Sequence, residues 1–344
     1  CRRSSGGIKT SDTWVGGAHH RGVHDCIHPT LINRVFLFLQ ECAETKKSYT
    51  YKQLQKNMAV FATSLRKKLG LKENDVVSAM LPNSPEFAVV AFGTLQAGCV
   101  LTPVNPIYKE LEISHQVSTT NPKVIVTIPE CYDIVLKGLK HAKSQAKIVL
   151  IDNSNKPLPD GIIKYSEIAE SGEADYAMLD KVEKQNDDIA FIPFSSGTTG
   201  LPKGVEISYK NLKAGIEIMQ NERNSFPVLT QGKYIEMIQS LSRRIIQSVR
   251  ILNPTVYLDI LKNQKPTLLY VSGELYIKAP TVMRGYYKNE KETKETLTED
   301  GYFKTGDLGY YKPEQGLYIT DRIKELIKVS FFVVYLPITA SNSK

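Results

Sequence analysis

The chain has 344 residues, enough for two domains or one large one, and 42% hydrophobic with 23% charged residues describes a globular protein with a sizeable core. Its net charge of +8 is a lysine excess spread along the chain, which favours anionic ligands or simply a solvated surface. No basic block interleaved with aromatics and no zinc-finger spacing points to nucleic acid, and runs such as Val35–Leu39 and Phe331–Leu336 are too short for a transmembrane segment.

Residues 1 to about 35 are rich in Arg, Ser, Gly and His and lack periodicity, so they are expected to be a disordered or non-native extension. They hold His19, His20, His24 and His28 with Cys26 between, but the spacing matches no zinc pattern and no metal site is assigned. The chain starts with Cys1, which predicts an incomplete or processed N-terminus, and without an apolar h-region in these first residues a secretory signal is not expected. Five scattered cysteines (Cys1, Cys26, Cys42, Cys99, Cys131) predict reduced thiols in an intracellular compartment rather than a disulfide framework.

From Tyr49 the pattern becomes regular. Leu54, Met58, Phe61, Leu65 and Leu69 recur at helical spacing and Gly70 stops the helix. Asp75–Leu81 reads as a strand. A helix capped by Asn83 or Ser84, with Pro85 in its first turn, then runs to about Gly98. Strands at Val100–Val104, Lys123–Thr127 and Lys147–Ile151 alternate with helices at about Lys109–Thr119 and Tyr132–Lys143. That alternation predicts βαβ units and a mainly parallel sheet. A further helix, capped by Ser208, runs from Tyr209 to about Asn221.

Between the apolar strands Asp188–Phe194 and Gly204–Ile207 lies the run Ser195-Ser196-Gly197-Thr198-Thr199-Gly200-Leu201-Pro202-Lys203-Gly204. Glycines let backbone N–H groups converge on an anion, hydroxyls add donors, and Lys203 supplies a mobile positive charge; such a loop suits a polyphosphate. It is not the nucleotide loop in which Lys is followed by Ser or Thr, nor a G-x-G-x-x-G dinucleotide loop.

This run resembles the signature of the acyl-adenylate-forming (AMP-binding) superfamily, and the stretch from about Tyr49 to Glu222 is most similar to its 4-coumarate–CoA ligase and long-chain acyl-CoA ligase branch. Leu81–Phe87, Leu101–Pro106, Gly273–Ile277, Gly301–Asp307 and Asp321–Lys328 resemble further motifs of that branch. The resemblance implies an α/β fold built of parallel-sheet βαβ subdomains of an adenylate-synthetase large domain. It implies ATP phosphate contacts at Ser195, Ser196, Gly197, Thr198, Thr199, Gly200, Lys203 and Gly204. Asp307 would bind the ribose, Arg322, Lys324 and Lys328 the AMP, and Lys324 would be the hinge. ATP, Mg²⁺ and CoA are the implied cofactors and co-substrates, and a phenylpropanoid or fatty carboxylic acid the implied substrate.

The resemblance divides the chain into an extension (1–35), a first adenylation portion (36–222), a divergent, shortened middle (223–272), the end of the large domain (273–329) and a tail (330–344). The stretch Asn253–Val271 is expected to be a helix followed by a buried strand. The middle segment with the Thr-Glu motif that helps hold Mg²⁺ has no counterpart, nor has the C-terminal cap with its adenylation lysine, so no catalytic residue is identified. Two classes of function therefore stay open: an impaired carboxylate–CoA ligase, and a non-catalytic nucleotide-binding remnant or interaction protein. An artefact of gene assembly is a third alternative. Cytoplasmic or peroxisomal residence is implied, although Ser341–Lys344 carries no peroxisomal tripeptide.

Overall fold

A computed structural model describes residues 38–41, 46–152, 154, 157–195, 201–223, 248–253, 256–259, 272–312, 316–323, 325–329 and 332–336. The extension at 1–35 and its histidines lie outside them. In chain order, β1 (Phe38–Glu41) and β2 (Ser48–Thr50) pair antiparallel and lead into α1 (Tyr51–Lys67). Thr50 starts α1 through a capping box: its hydroxyl accepts from Gln53 N while the Gln53 side chain accepts from Thr50 N. Leu54, Met58, Phe61 and Leu65 are all buried, as the helical spacing predicts.

There follow β3 (Val76–Met80), α2 (Pro85–Gln96), β4 (Val100–Pro103), α3 (Glu110–Thr120), β5 (Val124–Thr127), α4 (Pro129–His141), β6 (Lys147–Leu150), β7 (Ile163–Lys164), α5 (Tyr165–Ala169) and α6 (Tyr176–Leu179). The chain continues through β8 (Ile189–Phe191), β9 (Phe194–Ser195), β10 (Lys203–Ser208) and α7 (Tyr209–Arg223). Asn211 N donates to Ser208 Oγ at 3.2 Å and Ser208 N to Asn211 Oδ1 at 3.0 Å, so the expected cap of α7 is present and reciprocated.

The principal sheet runs β14-β10-β8-β4-β3-β5-β6-β7, with β9 alongside β10, where β14 is Gly285–Tyr286. The pairs β8–β4, β4–β3, β3–β5, β5–β6 and β6–β7 are parallel; β10 pairs antiparallel with β8, β9 and β14. All five residues of β3 and all four of β5 are buried, because α1 and α2 cover one set of side chains and α3 and α4 the other. Continuous apolar runs are what such a two-sided sheet demands. The α/β architecture with a parallel core is therefore as expected.

The second sheet is antiparallel. It contains β11 (Ser248–Asn253), β12 (Val256–Asp259), β13 (Ser272–Lys278), β15 (Phe303–Lys312) and β16 (Gly316–Arg322), in the order β12-β11-β13-β15-β16. Here the structure corrects the expected helix after Asn253: Val256–Asp259 is a strand in a hairpin with β11, pairing Asn253 with Val256 and Arg250 with Asp259. Val256, Tyr257 and Leu258 are good strand formers with a partner two residues upstream. The rest of that stretch, 260–271, lies outside the described residues.

The short helix α8 (Glu290–Thr296) links the two sheets, and β17 (Glu325–Val329) and β18 (Phe332–Leu336) form a terminal hairpin. Among the described residues no helix is long and apolar enough to cross a membrane.

A charged cluster ties the start of the regular chain to the core. Lys47 Nζ lies 3.0 Å from Glu86 and 2.7 Å from Glu170, and the Tyr49 hydroxyl donates to Glu170 at 2.6 Å. Burial pulls the Lys47 ammonium down, but the hydrogen bonds to Glu170 and Glu86 outweigh it and the net shift is upward. Burial, followed by Tyr165 and the Glu170 carboxylate, pushes the Tyr49 phenol well above its ordinary range.

Candidate functional site

The glycine- and hydroxyl-rich run bridges β9 and β10. The chain reaches it through a buried polar anchor: Ile192 N donates to Leu101 O at 2.8 Å, and Thr102 Oγ1 donates to Ile192 O at 2.8 Å. Gln116 of α3 holds that hydroxyl with an Nε2 donor at 2.7 Å. Thr102 and Gln116 are both buried, so the anchor is fixed by hydrogen bonds that water cannot replace. Ser195 then pairs with Lys203 across β9 and β10, so the two ends of the run are clamped side by side. Ser196, Gly197, Thr198, Thr199 and Gly200, the centre of the expected phosphate site, lie outside the described residues.

At the exit, His115 Nε2 is 2.9 Å from Pro202 O and its ring meets Phe194 edge-on at 6.1 Å. Gly204 is buried in β10. A Cβ there would sit 2.9 Å from Ile192 Cγ2 and 3.2 Å from the Phe194 ring, so packing already requires glycine. The Lys203 side chain is mostly buried, with its Nζ ion-paired to the Glu292 carboxylate and 5.7 Å from the centre of the Tyr286 ring.

Of the second group of expected residues, Asp307 and Arg322 lie on the antiparallel sheet. Gly306 adopts φ of +73°, the left-handed conformation that glycine supplies without strain, and opens a bulge in β15. Thr305 Oγ1 donates to Leu275 O at 2.8 Å and accepts from Asp307 N at 3.0 Å, while Gly306 N donates to Glu274 Oε1 at 3.3 Å. Register then sets Asp307 opposite Arg322, and Arg322 Nε lies 3.0 Å from Asp307 Oδ1. Both side chains stay partly exposed, so the pair presents an acceptor and a donor fork to an incoming group. Lys324 lies outside the described residues. Lys328 lies on β17, in the terminal hairpin.

The structure thus brings Ser195 together with Lys203, and Asp307 together with Arg322. Three residues beside these groups are not singled out by the sequence: His115, Tyr286 and Glu292. For the last two, the block Gly285-Tyr286-Tyr287-Lys288-Asn289-Glu290-Lys291-Glu292-Thr293 carries a legible signal in its Asn N-cap and acidic first turn. Among the described residues no group of three or more His, Cys, Asp or Glu is arranged to hold a metal ion.

Known proteins carry the same architecture. Residues 30–238 match the AMP-binding enzyme family, more than half the chain, and the chain belongs to that family. Over an alignment of 444 residues it is 24% identical to 4-coumarate–CoA ligase 1 of Arabidopsis thaliana, covering 92% of this chain and 77% of that protein. It is 26% identical to a probable 4-coumarate–CoA ligase 2 of Dictyostelium discoideum, covering 78% of this chain and 71% of that protein.

Among solved structures, the luciferase-like enzyme of the nonluminescent Zophobas morio mealworm shares the fold with a TM-score of 0.66 at 20% identity, covering 89% of this chain and 95% of that one. ATP-bound MatB of Rhodopseudomonas palustris gives 0.62 at 19% identity, covering 89% and 81%. By family the chain is therefore an acyl-adenylate-forming ligase. The Arabidopsis alignment runs longer than the 344 residues of this chain and has to open gaps in it.

Proposed function

We propose that the chain binds ATP between these two groups and is of the carboxylate–CoA ligase type, acting on a phenylpropanoid or fatty acid. The observation that carries the reading is the run clamped by the Ser195–Lys203 pairing, with a largely buried lysine at its exit. In this reading Ser195, Ser196, Gly197, Thr198, Thr199, Gly200, Lys203 and Gly204 contact the phosphates, where donors and the lysine charge would stabilise the charge that develops. Asp307 accepts hydrogen bonds from the ribose hydroxyls, Arg322, Lys324 and Lys328 meet the AMP, and Lys324 serves as the hinge. Mg²⁺ would arrive with the triphosphate, and no residue of the chain is assigned to it. The relatives' printed names, 4-coumarate–CoA ligases, supply the substrate class and the role of CoA.

The chemistry has two balanced halves. A carboxylate oxygen attacks the α-phosphorus and pyrophosphate leaves, giving acyl-AMP. The CoA thiol, losing its proton, then attacks the acyl carbon and AMP leaves. The protein's part is to hold the phosphates in line and neutralise the leaving charge. The middle segment is proposed to be shortened relative to the family, which leaves the acyl pocket incomplete and turnover weak.

Exchange of labelled pyrophosphate into ATP, dependent on added 4-coumarate or a long-chain fatty acid, tests this. Exchange that Lys203→Ala abolishes supports the ligase. Nucleotide binding without exchange for any acid leaves a non-catalytic nucleotide-binding protein. Absence of nucleotide binding overturns the site itself.

A further inference from the structure

The Lys203–Glu292 ion pair joins residues far apart in sequence, and several backbone contacts fix it. Strand β14 pairs with β10 at Val205–Tyr286 and Glu206–Gly285, and Tyr287 N donates to Gly204 O at 2.8 Å. Immediately afterwards Asn289 caps α8 by accepting from Glu292 N at 3.1 Å. Thr293 Oγ1 donates to Asn289 O at 2.9 Å and accepts from Tyr286 N at 2.8 Å. The Glu292 backbone is therefore held by the same strand pairing that holds Lys203. The ammonium faces a carboxylate and an aromatic ring, with only 15% of its side chain exposed.

We propose that Glu292 is a built-in competitor for polyphosphate: it holds the Lys203 ammonium and must release it before the phosphates of a nucleotide can engage. The proposal rests on the nucleotide reading above and adds a residue that sets its affinity. A lysine offers a compact point charge with three rotatable donors, so it can exchange one oxyanion for another by small side-chain movements. A phosphate entering beside Lys203 meets the Glu292 charge at close range in a partly buried site, where screening is weak. Glu292 opposes binding in two ways, by occupying the cation and by repelling the ligand.

Direct titration of the full chain with MgATP, magnesium tripolyphosphate and adenosine tests this in the wild type, Glu292→Gln, and Lys203→Ala with and without Glu292→Gln. The Glu292→Gln substitution is isosteric at a partly exposed position, and a matching thermal unfolding curve verifies the fold. The expected result is about tenfold tighter MgATP and tripolyphosphate binding by Glu292→Gln, worth about 1.4 kcal/mol. Adenosine affinity is unchanged, and the gain shrinks when Lys203 is alanine, where only the repulsion is left to relieve. A gain as large as in the wild-type background would show that Glu292 does not act through Lys203. Equal or weaker polyphosphate binding by Glu292→Gln overturns the competitor, making Glu292 a bystander or a positioning residue, while the nucleotide reading stands. If no variant binds either polyphosphate, the nucleotide reading falls and the competitor falls with it.

Discussion

The two sheets carry the two halves of the candidate site on very different foundations. The parallel sheet is covered on both faces: α1 and α2 pack one set of strand side chains, α3 and α4 the other, and Val77, Val124, Val126 and Val149 are fully buried. In the antiparallel sheet, Leu275 is buried on β13, whereas Tyr318 and Ile319 on β16 are exposed. The lysine at the loop exit is thus anchored to a closed core, and the Asp307–Arg322 pair to a sheet with an open face. Affinity for phosphate should depend on packing, and affinity for ribose on strand register. That difference is open to attack from either side.

The largest effect is expected in the closed core. Phe61 has no exposed surface and packs obliquely on Tyr165, with ring centroids 6.4 Å apart. Phe61→Ala should cost about 3–5 kcal/mol of stability, read as a lower denaturant midpoint at unchanged slope. Next comes the glycine beneath the loop. Gly204→Ala forces a methyl against Ile192 and Phe194 and should cost about 1–3 kcal/mol. Gly215→Ala is the control: it lies inside α7 with open space where the Cβ would be, and should gain about 0.5–1 kcal/mol. Equal effects at the two glycines would show that the clamp around Lys203 is not a packed structure.

Much of the closed core is legible in the sequence, because its signals are local. Thr50 and Gln53 spell the start of α1, Pro85 marks the first turn of α2, and the Val-Ile-Val run of β5 reads directly as a buried strand. The antiparallel sheet is not legible in the same way. Over Asn253–Val271 the family resemblance favours a helix and then a strand, yet the strand propensity of Val256-Tyr257-Leu258 prevails once β11 lies alongside to pair with it. For the site, the glycine- and hydroxyl-rich run points to Lys203 and the family resemblance to Asp307 and Arg322, whereas the partners of all three depend on register. Glu292 meets Lys203 only because β14 returns beside β10, a pairing no short window contains.

The Lys47 cluster gives the comparison a pH axis. Lys47 ordinarily titrates at 10.5 and Tyr49 at 10.0, and both are raised in the folded chain. A raised value means the native state keeps protons that the unfolded state releases, so the stabilisation is complete below about pH 10 and falls as pH rises further. Unfolding midpoints of the wild type should drop from about pH 9 to about pH 11, and those of Tyr49→Phe should drop less. Lys47→Met, which strands the buried Glu86 carboxylate, should cost about 2 kcal/mol at neutral pH, below a fully buried pair because Lys47 keeps partial exposure. A flat alkaline profile in the wild type would detach this cluster from the stability of the core.

The smallest stability effect belongs to the open sheet and separates binding from folding there. Asp307 and Arg322 are respectively 29% and 49% exposed as side chains, so water screens their attraction and the pair should be worth about 0–1 kcal/mol. Asp307→Asn keeps the size of the side chain and its place opposite Arg322 but removes the charge that two ribose hydroxyls would share. The expected outcome is an unfolding midpoint nearly that of the wild type, with MgATP binding weakened about tenfold, since hydrogen bonds to a charged group are worth about 1.5–3 kcal/mol. Tripolyphosphate, which has no ribose, should bind as before. Loss of stability without loss of ATP affinity would reverse the assignment, making Asp307–Arg322 a fastening of β15 to β16 and leaving nucleotide affinity to the packed lysine alone.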